Sequence, residues 1–205
     1  GRSYVAASFI RTWENVKEIR SFLDKNEWNH IKIISKIENK EALDNLEEIV
    51  KNSDWIMVAR GDLGIEMPIY ELPVYQKKIL DMCFQYWRPV IIATELMKSM
   101  VNNPFPTRAE VSDVYNSVLM RADAVMLSGE TTVGKHPIET VAAMARTCEA
   151  SEKYADFTGK FALPNNPEEN EYIALASSAI NCAKIMDAKF IVVETLTGRT
   201  ARIYD

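Results

Sequence analysis

Two stretches decide the fold: Ile31-Lys32-Ile33-Ile34-Ser35-Lys36-Ile37-Glu38-Asn39 and Trp55-Ile56-Met57-Val58-Ala59-Arg60-Gly61-Asp62-Leu63-Gly64. Each opens on a short apolar run of strand length and ends in a burst of polar residues. Between them Lys40 to Lys51 reads as a helix, with Ala42, Leu43, Leu46, Ile49 and Val50 on one face. A strand, a helix and a second apolar strand form a βαβ unit, and such units build parallel sheets.

The same unit recurs on both sides. Upstream, Val5 to Phe9 reads as a strand and Glu14 to Lys25 as an amphipathic helix carrying Val16, Ile19, Phe22 and Leu23. Downstream, a glycine-containing loop leads to a helix over Pro73 to Tyr86, then a strand over Pro89 to Ala93. A helix over Thr107 to Met120, a strand over Ala124 to Leu127 and a long helix from Pro137 to Tyr154 follow. Pro137 suits a first helical turn, where its missing N–H is not needed. These are five strand–helix units. Their strands are apolar on both faces, which predicts cover on both sides. An open doubly wound sheet and part of an eight-stranded barrel both fit the pattern, and both place ligands at the C-terminal strand ends.

After Phe157 the composition changes. Residues 158–170 hold Gly159, Pro164 and Pro167 among asparagines and glutamates and read as a linker. Residues 171–205 read as the start of a second α/β domain: a helix over Glu171 to Met186, a strand over Phe190 to Glu194, and a polar loop over Thr195 to Thr200. The first domain is expected to span residues 1–157.

Composition excludes several functions. The chain has 205 residues, 47% hydrophobic and 26% charged, with a net charge of −5. A negative chain offers no general field for nucleic acid or anionic membrane. No apolar run reaches the length of a bilayer span. Cys83, Cys148 and Cys182 are scattered and form neither a metal motif nor a disulfide framework, as expected in a reducing, cytoplasmic compartment. Two histidines leave little material for a His-based metal centre or triad.

The chemistry concentrates at the strand ends. Residues i and i+2 of a strand share a face, so Lys36 and Glu38 project together. Alone, the segment equally fits a surface ion pair. Asp62 sits at the next strand tip, and two carboxylates at adjacent tips suit Mg²⁺ or Mn²⁺. Gly61 and Gly64 predict a sharp turn with close backbone approach to a ligand; a turn with an aspartate cap is the simpler alternative. Thr94, after the fourth strand, offers a hydroxyl to an anionic ligand or caps a helix. Ser8, Arg60 and Ser128 are further candidates at the same rim. Thr107 and Glu110 have capping-box spacing. Gly129 to Lys135 fits G-x-x-x-x-G-K, but His136 stands where a P-loop needs Ser or Thr. Thr195, Thr197, Gly198, Arg199 and Thr200 combine hydroxyls, a glycine and an arginine, which suits a phosphate group and also an ordinary turn.

Ser35 to Asn39, Met57 to Glu66, Pro106 to Glu110 and Met126 to Thr131 resemble the motifs of pyruvate kinases, in the family's order and spacing. Ala7 to Arg11 resembles the strand before them. The resemblance runs from about residue 4 to 154 and more loosely to 205. It implies a partial TIM (β/α)₈ barrel of five βα units, matching the family's strands four to eight, followed by the start of its C-terminal domain. It also implies phosphoryl transfer from phosphoenolpyruvate to ADP, giving pyruvate and ATP, the last step of glycolysis. Glu38 and Asp62 resemble ligands of Mg²⁺ or Mn²⁺, and Lys36 the lysine that stabilises the transferring phosphoryl. The Gly61 and Asp62 amides would receive the substrate carboxylate. Thr94 would hold substrate near the site of enolate protonation. The loop at Thr195 to Thr200 resembles one that binds a sugar-phosphate activator. The family implies a homotetramer, with residues 107–120 in a region of subunit contact, and K⁺ whose ligands lie outside this chain. Glu95 and Val111 depart from the family's usual Gln and Gly. The chain reads as an excerpt of a longer polypeptide, inactive alone. A metal-dependent lyase or aldolase acting on pyruvate or phosphoenolpyruvate would use the same carboxylates.

Overall fold

The computed structural model describes residues 3–154, 170–195 and 200. The chain divides into two compact units, Gly1–Phe157 and Thr158–Asp205.

In the first unit the strands are β1 (Tyr4–Ala7), β2 (Lys32–Ile37), β3 (Trp55–Ala59), β4 (Val90–Ala93) and β5 (Ala124–Met126). All neighbours pair in parallel, in the order β1-β2-β3-β4-β5. A doubly wound sheet reverses its order at a switch point; this one never does. It is a singly wound sheet, as in part of a (β/α)₈ barrel.

Register fixes the two faces. Ile33, Ser35, Ile37, Ile56, Val58 and Ile92 are at most 1% exposed and join the inward faces of the helices in one core. Ser35, a polar group in that row, bonds Ser53 Oγ at 2.7 Å, and Ser53 donates to the Ile49 carbonyl. The opposite row is mixed: Met57, Ala59 and Ala93 are buried, while Ile34, Lys36, Trp55 and Ile91 stay half-buried. The central strands β3 and β4 are thus buried on both faces over much of their length, and the helix side is the more fully covered. A singly wound sheet carries its crossovers on one side.

The helices are α1 (Trp13–Lys25), α2 (Lys40–Asp44), α3 (Leu46–Asn52), α4 (Arg60–Glu66), α5 (Leu72–Gln85), α6 (Arg108–Leu119), α7 (Gly129–Thr132) and α8 (Pro137–Tyr154). Two differ from the sequence reading. The expected helix over 40–51 breaks at Asn45, whose side-chain amide bonds the carbonyls of Arg11 and Glu41. The expected glycine loop over 60–64 is α4 itself. Neither Gly61 nor Gly64 takes a left-handed conformation, so local hydrogen bonding wins over the glycines' freedom. At α6 the expected capping box forms: Thr107 Oγ1 accepts from Glu110 N–H, and Glu110 accepts from Thr107 N–H.

In the second unit α9 spans Asn170–Ile185. No strand forms over 190–194; Phe190 and Val192 are 87% and 95% exposed. A strand exists only in a ladder, and none of the described residues pairs with this segment. Among the described residues no helix is long and apolar enough to cross a membrane.

Candidate active site

The polar residues gather at the C-terminal ends of the parallel strands β1 to β5. Ala7 pairs with Ser35, so Ser8 follows in register with Lys36. The Lys36 ammonium donates to Ser8 Oγ at 2.9 Å and forms an ion pair with Glu38 Oε1. Glu38 Oε2 accepts from the Phe9 N–H at 2.7 Å. The Glu38 side chain is 3% exposed and that of Lys36 22%. This depth separates the pair from a surface ion pair, because a carboxylate so placed must be compensated. Phe9 stands in left-handed backbone, φ +58°, which turns its amide toward Glu38.

One strand over, Asp62 lies in the first turn of α4. Its exposed carboxylate makes no hydrogen bond or ion pair among the described residues. First-turn amides have no partner inside a helix. That of Gly61 donates instead to Thr94 Oγ1 at 2.7 Å. Thr94 thus satisfies the neighbouring helix and does not cap one of its own. Its hydroxyl proton remains free to donate, since a hydroxyl both accepts and donates.

Arg60 opens α4 at the same rim. It is 8% exposed, and its guanidinium works inside the protein. Nε and Nη2 donate to the Thr94 carbonyl at 3.2 and 2.9 Å, and Nη1 donates to both Asp113 oxygens at 2.9 and 2.7 Å. Glu95 pairs with Lys98 at the surface. Ser128 N–H donates to Glu130.

The G-x-x-x-x-G-K stretch forms no phosphate cradle: the Val133 and Gly134 amides both bond the Gly129 carbonyl, and Lys135 N–H bonds Val101. Of the loop over Thr195 to Thr200, Thr197, Gly198 and Arg199 lie outside the described residues. The three cysteines are free, and burial pushes the Cys83 thiol up, away from thiolate chemistry.

Three supporting carboxylates escaped the sequence reading as parts of the rim. Asp113 lies within α6 with no motif to mark it. Glu130 belongs to a noted polar burst, but only the fold shows that it is buried. Glu110 was legible as a cap, yet it also accepts from Ser99 N–H and Ser99 Oγ, both at 2.6 Å. Burial opposes its charge, but the bonds from Ser99 and Thr107 outweigh burial and hold its pKa below the ordinary 4.5.

Among the described residues no three His, Cys, Asp or Glu side chains converge as a metal cluster. The donor set at the rim is two carboxylates, which suits a hard divalent cation retaining waters and substrate oxygens. Glu38 keeps lone pairs beyond its two contacts, and Asp62 is uncommitted, so the residues fit such an ion.

A family model described as pyruvate kinase, barrel domain, matches residues 1–141. Pyruvate kinases of Borreliella burgdorferi and Clostridium perfringens are 44% and 45% identical over 203 residues. Each alignment covers 98% of this chain, and 42% and 43% of the relatives. Pyruvate kinase 1 of Trypanosoma brucei brucei is 46% identical over 210 residues, covering 99% of this chain and 41% of that protein. A crystal structure of a pyruvate kinase from Cryptosporidium parvum matches with a TM-score of 0.87 at 37% identity, over 98% of this chain and 43% of that one. The chain spans less than half the length of these relatives.

Proposed function

Because the chain belongs to the pyruvate kinase family, we propose that the whole protein transfers a phosphoryl group from phosphoenolpyruvate to ADP, giving pyruvate and ATP. Glu38 and Asp62 would hold Mg²⁺ or Mn²⁺, which when bound supplies charge neutralisation to the phosphoryl oxygens. The observation that carries the reading is the Lys36 ammonium at the strand tip. Two of its three protons are engaged, by Ser8 and Glu38. The third has no acceptor among the described residues and is available to a phosphoryl oxygen. Phosphoryl transfer draws mostly on positioned charge of this kind. An ammonium held by two partners keeps its place as charge develops.

The Asp62 amide would receive the substrate carboxylate. The Gly61 amide would join it once it leaves the Thr94 hydroxyl. Thr94 would hold substrate on the side where the enolate carbon gains its proton. K⁺ would bind outside this chain, as the family implies. A homotetramer, a sugar-phosphate activator at the loop over Thr195 to Thr200, and a cytoplasmic place at the end of glycolysis complete the proposal.

The test is pyruvate formation by the full-length protein, coupled to NADH oxidation through lactate dehydrogenase. Turnover should require both phosphoenolpyruvate and ADP, and fall at least about a hundredfold in Lys36→Ala and Asp62→Ala. ADP-independent turnover would favour a lyase and overturn the proposal.

A further inference from the structure

Thr94 and Glu95 both stand in left-handed backbone, φ +71° and +56°. Neither is a residue that adopts this region cheaply; each costs about 1 kcal/mol or more. The turn therefore persists only if its surroundings hold it. From the β3 side Arg60 grips the Thr94 carbonyl. From the β5 side the holding group is Glu130. It is 3% exposed, and it has no ion-pair partner among the described residues. Its Oε1 accepts from the Met97 N–H at 3.2 Å and its Oε2 from the Ser128 N–H at 2.9 Å.

The Lys98 ammonium lies near enough to feel the charge of Glu130 but forms no ion pair with it, and a buried carboxylate so placed needs strong hydrogen bonds. Glu130 directs both oxygens at backbone amides of two adjacent rim segments. One amide ends the left-handed turn that presents Thr94; the other belongs to Ser128. Resting on the reading of Thr94 as the residue beside the enolate carbon, we infer that Glu130 is a positioning residue for the protonation step. It fixes the Thr94 hydroxyl by tying the turn over 94–97 to the rim segment after β5. It touches neither substrate nor cation, and acts through Thr94.

The experiment compares full-length wild type with Glu130→Gln. Glutamine keeps one acceptor oxygen and turns an NH₂ toward the second amide. The kcat for pyruvate formation should fall about tenfold, the effect of one buried hydrogen bond lost. The KM for phosphoenolpyruvate and the Kd for Mn²⁺, read by water proton relaxation, should stay within about twofold. Isotope exchange at the pyruvate methyl group, followed by NMR, reports protonation without phosphoryl transfer and should slow by the same factor as kcat. In a cycle with Thr94→Val, the double variant should be no slower than the worse single one. Additive losses, wild-type exchange, or an equal loss of Mn²⁺ affinity would overturn the inference. Should Glu130→Gln not fold, Glu130→Asp, which reaches one amide only, carries the same expectations. A wild type without turnover dependent on phosphoenolpyruvate and ADP would remove the functional reading itself, an outcome distinct from all of these.

Discussion

Replacing Arg60 by methionine keeps most of the buried aliphatic volume and removes the guanidinium. Two losses follow. The Thr94 carbonyl, which is partly buried, forfeits both donors, and leaving such an acceptor unpaired costs about 1–3 kcal/mol. Asp113 forfeits its bidentate partner; its side chain is 36% exposed, so water replaces part of that bond and the loss is about 1 kcal/mol. The sum is about 3 kcal/mol, within the range for breaking a buried pair from one side. Asp113→Asn leaves the two bonds to Thr94 in place, and should cost only about 1 kcal/mol. The double variant should be scarcely less stable than Arg60→Met alone, because the two side chains share one interaction. Equilibrium urea unfolding followed by circular dichroism gives the three values. A loss below about 1 kcal/mol for Arg60→Met, or equal losses for the two single variants, would refute the assignment of Arg60 to the Thr94 carbonyl.

Two further outcomes test other parts of the rim. A Cβ on Gly134 would stand 2.1 Å from the Glu130 carbonyl oxygen; the backbone must shift, so Gly134→Ala should destabilise by about 1–3 kcal/mol and lower Tm, while a wild-type Tm would contradict the packing of this turn. Glu110 is held below its ordinary 4.5, so its contribution is fully present above that pH and lost as pH falls through its lower folded value. Thermal melts of wild type and Glu110→Gln should therefore differ at pH 7 and converge in acid; a constant gap down to low pH would contradict the role of the Ser99 and Thr107 bonds.

Much of this was legible in the residues. Apolar runs bounded by polar bursts located all five paired strands, because a strand buried against helices needs a continuous apolar side. The spacing of Thr107 and Glu110 marked a cap, since both groups lie within one turn. Lys36 and Glu38 were readable as neighbours because strand periodicity puts i and i+2 on one face. Other features were not readable. Gly61 and Gly64 suggested a sharp turn, yet that segment folds as a helix. Phe190 to Glu194 had strand composition, but composition cannot supply the neighbour a strand requires.

The sequence by itself determined the order of elements, the parallel class and the rim on which the chemistry collects, because these follow from periodicity along a single segment. Periodicity left an open doubly wound sheet and part of a barrel both possible; the motif resemblance implied the barrel, and the strand order of the tertiary structure agrees with it, since strand order is a relation among segments. Only the tertiary structure decided which charges keep a donor free at the rim and which are engaged inside the protein. Lys36 and Arg60 are both cations at strand ends. Ser8 and Glu38 hold the first with a proton to spare, while the Thr94 carbonyl and Asp113 engage the second from inside. Apart from Glu38, which strand periodicity already places beside Lys36, these partners lie 28 to 53 residues away, and no local pattern encodes a contact across that distance.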